Sequence, residues 1–253
     1  MDVSQIVEKI NELFNVKNKK IYASESGITY KADKKIKKIG YCVNLTLETI
    51  EEARIQGVDM MLTHHDAWEE LYGLKDACIE KLAEYGISHY YNHLPLDDCH
   101  FGTNDSLLKK LNLKNMKRTH EWEGLYFGRI AEYDKEIEFH EFVSKIENVL
   151  EEPVRFWRFN DKKVKRVGLV CGNGASTACL KEAVEHKCDT YITGESNLYT
   201  IQYAQFKGIN LIIGSHTFTE LPGIESLALK LKANNKDLEI VRLNEFHHEA
   251  NIR

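Results

Sequence analysis

Met60-Met61-Leu62-Thr63-His64-His65-Asp66 is an apolar run that ends in two adjacent imidazoles and a carboxylate. Its first four residues read as a short buried strand, and a strand end is a rigid platform for presenting side chains. Neutral imidazole is the commonest protein ligand for a transition metal. Successive residues of an extended strand point to opposite faces, so His64 and His65 can share one ion only where the chain turns; otherwise they serve two. The competing reading is a pair of polar residues opening a loop, and the rest of the chain decides between them.

The surroundings of this run recur later in the sequence. Glu52-Ala53 is followed by Asp59 and Thr63; Glu182-Ala183 is followed at the same spacings by Asp189 and Thr193. Upstream, Lys38-Ile39-Gly40 matches Arg166-Val167-Gly168, with a two-residue length difference before the helix. Downstream, Gly86-Ile87 matches Gly208-Ile209, and each leads through an apolar strand to a His with a carboxylate four residues later: His93 with Asp97, and His216 with Glu220. Asp105-Ser106-Leu107 with Leu111 then matches Glu225-Ser226-Leu227 with Leu231. These coincidences in one order predict two copies of one α/β unit.

Working outward, the pattern predicts a helix over Met1–Leu13, a short strand over Ile21–Tyr30 and a buried strand over Lys38–Leu45. A helix over Leu47–Gln56, the strand Met60–Thr63, a helix over Lys75–Tyr85 and a strand over Ser88–His93 follow. Pro95 and Asp97-Asp98 mark a turn, and Asn104 caps a helix to Leu111. Strands alternating with helices argue for a sheet with a parallel component. Residues 117–165 carry a separate pattern: an edge-like strand over Leu125–Ala131, an amphipathic helix over Phe139–Leu150 and a strand over Val154–Phe159. The expected organisation is therefore residues 1–116 as the first α/β unit, 117–165 as an accessory strand-helix-strand insert, and 166–253 as the second unit.

Composition narrows the function classes. The chain has 253 residues, long enough for a sizeable core, with 43% hydrophobic and 29% charged residues, as in ordinary globular proteins. A net charge of -5 gives no electrostatic reason to expect a nucleic-acid partner. The Lys-rich segment Lys31–Lys38, which includes Asp33, reads as a solvated face. The N-terminus lacks the apolar core of a secretory signal, and no apolar run approaches bilayer length, so a cytoplasmic protein with no membrane partner is expected. Cys42, Cys78, Cys99, Cys171, Cys179 and Cys188 form no C-x-x-C pair and read as reduced core thiols.

In a duplicated α/β protein, equivalent strand ends can face each other across a pseudo-twofold axis, and a cleft between halves is a natural ligand site. The first copy offers His64, His65, His93 and Asp97; the second offers Glu195, His216 and Glu220. Imidazoles with carboxylates suit two divalent ions better than one structural zinc, which favours four closed ligands and sulfur. The donor chemistry accepts zinc, iron, manganese, cobalt or nickel. Glu195 arrives at a strand end without being needed as a ligand and is the candidate catalytic, proton-handling group. Trp68 and Tyr72 lie just beyond the His pair, as an aromatic wall for a ring or as cleft packing. His89, His100, His120, His140 and His186 read as ordinary polar residues.

Thr63-His64-His65, the Asp97 of His93-Leu94-Pro95-Leu96-Asp97, Thr193-Gly194-Glu195 and His216-Thr217-Phe218-Thr219-Glu220 together resemble the motifs of the NIF-three-like proteins, whose bacterial members are named type-two homologues of GTP cyclohydrolase I. The resemblance covers nearly the whole chain. It implies two interlocked, duplicated α/β units with mixed sheets, a toroidal homohexamer, and a dinuclear metal centre with His64, His65, Asp97, His216 and Glu220 as ligands, Glu220 or Asp97 bridging. The chain departs from the pattern at Leu198-Tyr199, where the family usually has a His pair, at Asn44 in place of Asp, and at Ser215 in place of Gly. The function this supports is a metal-dependent hydrolase in which activated water attacks a nucleotide ring or phosphoester of a small-molecule substrate. The competing reading, from another class, is a non-catalytic metal-binding scaffold or regulatory protein.

Overall fold

The computed structural model describes residues 1–14 and 24–249. The start of the strand expected from Ile21 and the last residues of the segment expected to end at 253 lie outside the described residues. In chain order the first elements are helix α1 (Val3–Leu13), strands β1 (Ser26–Tyr30) and β2 (Lys38–Cys42), helix α2 (Leu47–Ile55), strand β3 (Met60–Thr63), helix α3 (Leu74–Tyr85), strand β4 (Ser88–Asn92) and helix α4 (Leu94–Asp98). Helix α5 (Thr103–Lys110), strands β5 (Lys114–Trp122) and β6 (Leu125–Ile137), helix α6 (Phe139–Leu150) and strands β7 (Arg155–Trp157) and β8 (Val164–Val170) follow. The chain continues through helix α7 (Thr177–Glu185), strand β9 (Thr190–Thr193), helix α8 (Leu198–Lys207), strand β10 (Asn210–Ile213), helix α9 (His216–Asn234) and strand β11 (Glu239–Arg242).

Two compact units result, each with its own mixed sheet. The first comprises Met1–Gly102 and Ile224–Glu245 and holds a sheet of order β1-β4-β3-β2-β11. β4, β3, β2 and β11 run parallel to their neighbours, while β1 pairs antiparallel with β4. Its core gathers Ile50 and Ala53 of α2, Cys78 and Leu82 of α3, and Met61 of β3. Burying a side chain such as Leu82 contributes on the order of 2 kcal/mol. The second unit comprises Thr103–Gly223 with the segment from Phe246 onward, and its sheet has the order β5-β6-β8-β9-β10-β7. β8, β9 and β10 run parallel, flanked by antiparallel β6 and β7. α5 and α6 pack in one cluster with Val167 and Ile192, while α7 and the Ala204 turn of α8 pack in another with Leu211 and Tyr191.

The repeat is carried into the hydrogen bonds. Asp59 Oδ2 accepts the amides of Lys37 and Lys38 at 2.9 and 3.0 Å; Asp189 Oδ2 accepts those of Lys165 and Arg166 at 2.9 and 2.8 Å. The Val58 amide closes on the Ala53 carbonyl as the Cys188 amide closes on that of Ala183. Gly86 and Gly208 end α3 and α8 at φ +62° and +64°, left-handed positions that favour glycine and let each chain drop straight into the next strand. An aspartate that ties the start of one strand to the next, and a glycine that ends the second helix, are why the sequence repeat is visible at those residues.

Several expectations need correction. Residues 103–116, expected with the first copy, belong to the second unit, and Ile224–Glu245, expected with the second copy, belong to the first. The paired motifs Asp105-Ser106-Leu107 and Glu225-Ser226-Leu227 are both helical, and each belongs to the unit opposite to its own copy. Residues 117–165 are not a separate layer: β6 runs well past Ala131 to Ile137 and lies between β5 and β8 inside the second sheet. β5 was not expected because its polar side chains are mostly exposed and show no apolar alternation. Pro95 starts a short helix rather than a turn, since proline is tolerated in a first helical turn where its missing N–H is not needed. Lys31 and Lys34 are exposed as expected, with Lys34 paired to Asp59 at 3.0 Å. Five of the cysteines are buried and Cys99 is partly so; all are free thiols. Among the described residues, no helix is long and apolar enough to cross a membrane.

Candidate metal-binding residues

At the exit of β3 the chain turns, and this resolves how adjacent histidines can converge. The amides of His64 and His65 both donate to the Val43 carbonyl, at 3.0 and 2.8 Å. Thr63 Oγ1 donates to the His65 carbonyl at 2.6 Å, closing the turn from the other side. The extended alternation is thereby broken, and the two rings lie 4.5 Å apart between centroids. His93, just beyond β4, brings its ring to 5.1 Å from His64 and 5.2 Å from His65. One ring nitrogen of each of the three lies within 4.8 Å of the others. Asp97, in α4, places Oδ1 3.4 Å from His64 Nε2. Of the residues expected in this unit, His64, His65 and Asp97 are thus brought together and buried.

Each imidazole is held from behind. His64 Nδ1 donates to the Asn92 carbonyl at 2.9 Å, His93 Nδ1 lies 2.8 Å from the Glu25 carboxylate, and His65 Nδ1 lies 2.9 Å from Asn44 Oδ1. An oxygen acceptor on Nδ1 leaves the lone pair on Nε2, the arrangement found behind metal-ligating histidines. Behind the turn, fully buried His89 places Nε2 2.7 Å from Thr63 Oγ1; burial pushes its pKa down to about 4, so it is neutral. It is therefore part of the support of the His pair rather than an ordinary polar residue. Trp68 lies with its ring 4.4 Å from that of His65, while Tyr72 is 98% exposed and forms no wall.

In the second unit the donors come from one helix end. His216 opens α9 and Glu220 follows one turn later, so both point to the same side, with His216 Nε2 3.3 Å from Glu220 Oε1. Glu195, which follows β9, sets Oε1 2.5 Å from His216 Nδ1 and so acts here as the acceptor that orients the ring. Gly172 lies against this pair at φ +61°: a Cβ there would stand 2.0 Å from Glu220 Oε1 and 2.9 Å from His216 Nε2. The helix start is further fixed by Glu249, whose carboxylate accepts the His216 and Thr217 amides. Burial disfavours a charged His216, but Glu220 and Glu195 overcome it and hold the pKa up at about 11.

The donor chemistry fits divalent metal ions. Both sets consist of imidazole and carboxylate without thiol, which suits borderline ions of the zinc, iron, manganese, cobalt and nickel type. A family model described as Duf34/NIF3 (NGG1p interacting factor 3) matches residues 1–248. The chain belongs to the DUF34/NIF3 family. Among relatives of this DUF34/NIF3 chain, a protein of Pyrococcus horikoshii named GTP cyclohydrolase 1 type 2 homolog is 30% identical over 241 residues, covering 92% of this chain and 94% of its own. A Methanocaldococcus jannaschii protein of the same name is 29% identical, covering 96% of this chain and 100% of its own. The solved structure of reduced HcgD from Methanocaldococcus jannaschii is 26% identical, with a TM-score of 0.80 over 97% of this chain and 98% of that one.

Sequence reasoning passed over several residues of the candidate sites. His93 is outside the ligand set that the sequence motifs imply, yet its ring lies as close to His65 as to His64. Its supporting acceptor, Glu25, is remote in sequence and carries no motif. Behind Asn44 stands Glu245, whose carboxylate accepts the Val43 amide at 2.6 Å, the Asn44 amide at 2.9 Å and the Asn44 side-chain amide at 3.1 Å. Burial pushes the Glu245 carboxyl up, and these three donors oppose the shift. No periodicity or spacing could have linked residues so far apart in the chain.

Proposed function

We propose that this DUF34/NIF3 protein is a hydrolase that depends on two divalent metal ions, with His64, His65 and Asp97 of the first unit and His216 and Glu220 of the second as ligands. The observation that carries the reading is the common state of the imidazoles: His64, His93 and His216 each give Nδ1 to an oxygen, and His65 faces one. A merely polar loop has no need of such orientation. Two ions held close together supply Lewis-acid activation of water and a clamp on the electrophile's oxygens. The chain's own contribution is to orient the rings and exclude water from behind them. Glu195 holds a proton with His216 at Nδ1, which also makes it the group placed to hand one on. Five proposed ligands for two ions leave coordination positions for a substrate, which favours chemistry over storage.

The substrate class is a small molecule with a phosphoester or nucleotide ring, a reading supported by the names of the relatives and by two-ion chemistry. The same family resemblance supports a cytoplasmic homohexameric toroid, tested by light scattering against the 29.3 kDa chain mass. The primary test is metal content per chain, by mass spectrometry on protein purified without a His-tag. About two ions are expected in the wild type and a clear loss in His216→Ala with Glu220→Ala. Metal unaffected by the substitutions would sink the assignment. GTP and phosphoester hydrolysis is then screened; full metal content with no turnover of any substrate would favour the scaffold reading.

A further inference from the structure

Asn44 stands beside His65 as a neutral amide, and such a group cannot by itself say which way it faces. An amide offers oxygen on one side and N–H on the other, so its orientation is set by its neighbours. Here the neighbour on the far side is a carboxylate: Glu245 Oε1 lies 3.1 Å from Asn44 Nδ2. Turning the amide over would put its oxygen against that carboxylate and lose the hydrogen bond. Glu245 is itself locked, since its two oxygens take the backbone amides of Val43 and Asn44 at 2.6 and 2.9 Å. The Asn44 oxygen therefore faces His65 Nδ1, at 2.9 Å, and can only accept.

We infer that Glu245 is a positioning residue that acts through Asn44 to fix His65 as the Nδ1–H tautomer, presenting the Nε2 lone pair as a metal donor. The inference rests on the proposed metal reading for its purpose but not for its geometry. The negative charge that an aspartate would place directly on the imidazole is here moved one residue back, to a carboxylate at the end of the first unit. A direct carboxylate makes a ligating imidazole more basic; a relayed one orients it with less charge transferred.

The geometry makes a prediction that simple structural support does not. Asn44→Asp alone sets two carboxylates against each other where a 3.1 Å hydrogen bond stood, and Glu245→Gln alone removes the charge that orients the amide. Each single variant is expected to lose about 10-fold in affinity for Co2+, measured by competition with a chelator. Asn44→Asp with Glu245→Gln swaps amide and carboxylate and restores a donor facing an acceptor at that contact, at the loss of one acceptor for the Val43 or Asn44 backbone amide, and is expected to recover part of that loss. Losses that add in the double variant, or single variants that bind Co2+ as the wild type does, would overturn the relay. Thermal melts of the metal-free variants check that they fold.

A second readout does not need metal. In metal-free protein labelled with 15N-histidine, with His65→Gln to assign the signal, His65 is expected as the Nδ1–H tautomer in the wild type and as a mixture in Glu245→Gln. An Nε2–H form in the wild type would overturn the inference. A wild type that takes up no Co2+ would overturn the metal reading instead, and the tautomer spectrum would still decide the relay.

Discussion

In the first unit His64 gives Nδ1–H to a backbone carbonyl and His65 faces an amide oxygen, whereas in the second His216 lies between two carboxylates, Glu195 and Glu220. The frames beneath are alike, down to the aspartate that ties each pair of strands. The difference is one of charge. The second unit stores a proton on His216, which a metal ion must displace, while the acceptors behind the first unit's adjacent pair are neutral. Duplication has thus preserved the part of the unit that folds, together with a carboxylate behind the repeated imidazoles His93 and His216, and has diverged just after β3 and β9, where His64-His65 stand in one copy and Gly194-Glu195 in the other.

The largest effect that would break this comparison comes from Gly172→Ala. The new methyl group would displace the Glu220 carboxylate and crowd His216, at a backbone angle that already disfavours alanine. We expect metal affinity to weaken at least about 10-fold, with the hydrogen bonds behind His64 and His65 unaltered. Metal analysis that finds Gly172→Ala indistinguishable from wild type would remove His216 and Glu220 from the ligand set.

Next in size are the matched frame substitutions. Asp59→Ala and Asp189→Ala each remove the acceptor of two backbone amides, and each is expected to cost about 1–3 kcal/mol in chemical denaturation. The second should cost more, because Asp189 is 8% exposed and also accepts Thr190 Oγ1, whereas water can replace Asp59 at the exposed Lys37 amide. Asp59 is also held below the ordinary carboxylate range: burial works against this, but the Lys37 and Lys38 amides and Lys34 prevail. Its folded pKa is therefore lower than its unfolded one, so its stabilising contribution is present above the ordinary value of 3.8 and lost as pH falls through the folded value. The reverse order of the two losses would show that the frames are less alike than their bond lengths.

A smaller effect concerns pH. The pKa of His216 is raised from 6.5 to about 11 in the folded chain, so its contribution to the metal-free protein is complete below about pH 6.5 and lost as pH rises through the folded value. Glu195→Gln lowers that folded value and narrows the window. Melting temperatures of chelator-treated protein should fall as pH rises from neutral to alkaline, and fall less in Glu195→Gln. An unchanged slope would show that Glu195 does not hold the His216 proton. At the bottom of the scale, Tyr72→Ser should move stability by no more than about 0.5 kcal/mol and leave metal content intact, because that side chain is 98% exposed.

How much of this was legible depends on whether the responsible residues are close in sequence. The repeat could be read because Asp59 and Asp189, and Gly86 and Gly208, each do a local job that only a few residue types can do. The strand-end candidates His64, His65, Asp97, His216 and Glu220 could be singled out for the same reason. Glu25, Asn44 and Glu245 were not, because what selects them is a hydrogen bond across the fold, and many polar residues look equally suited in one dimension. The exchange of helices between copies was hidden too: an apolar helix face records that it is buried and says nothing about which sheet buries it. β5 escaped notice because a strand at a sheet edge with exposed side chains has no apolar rhythm to read.

The strand β11 closes the first sheet by pairing Glu239 with Lys38 and Ile240 with Ile39. On the ribosome those partners are separated by residues 103–223 of the second unit, so the first sheet waits for its β11 strand until that unit's chain has been made. Until then the open edge of β2 is a row of unused amides and carbonyls available to any passing strand. The same order places Glu245 next to Asn44 only after the second unit's residues 103–223 have been made, so the His65 ring gains this support later than the strand that carries it.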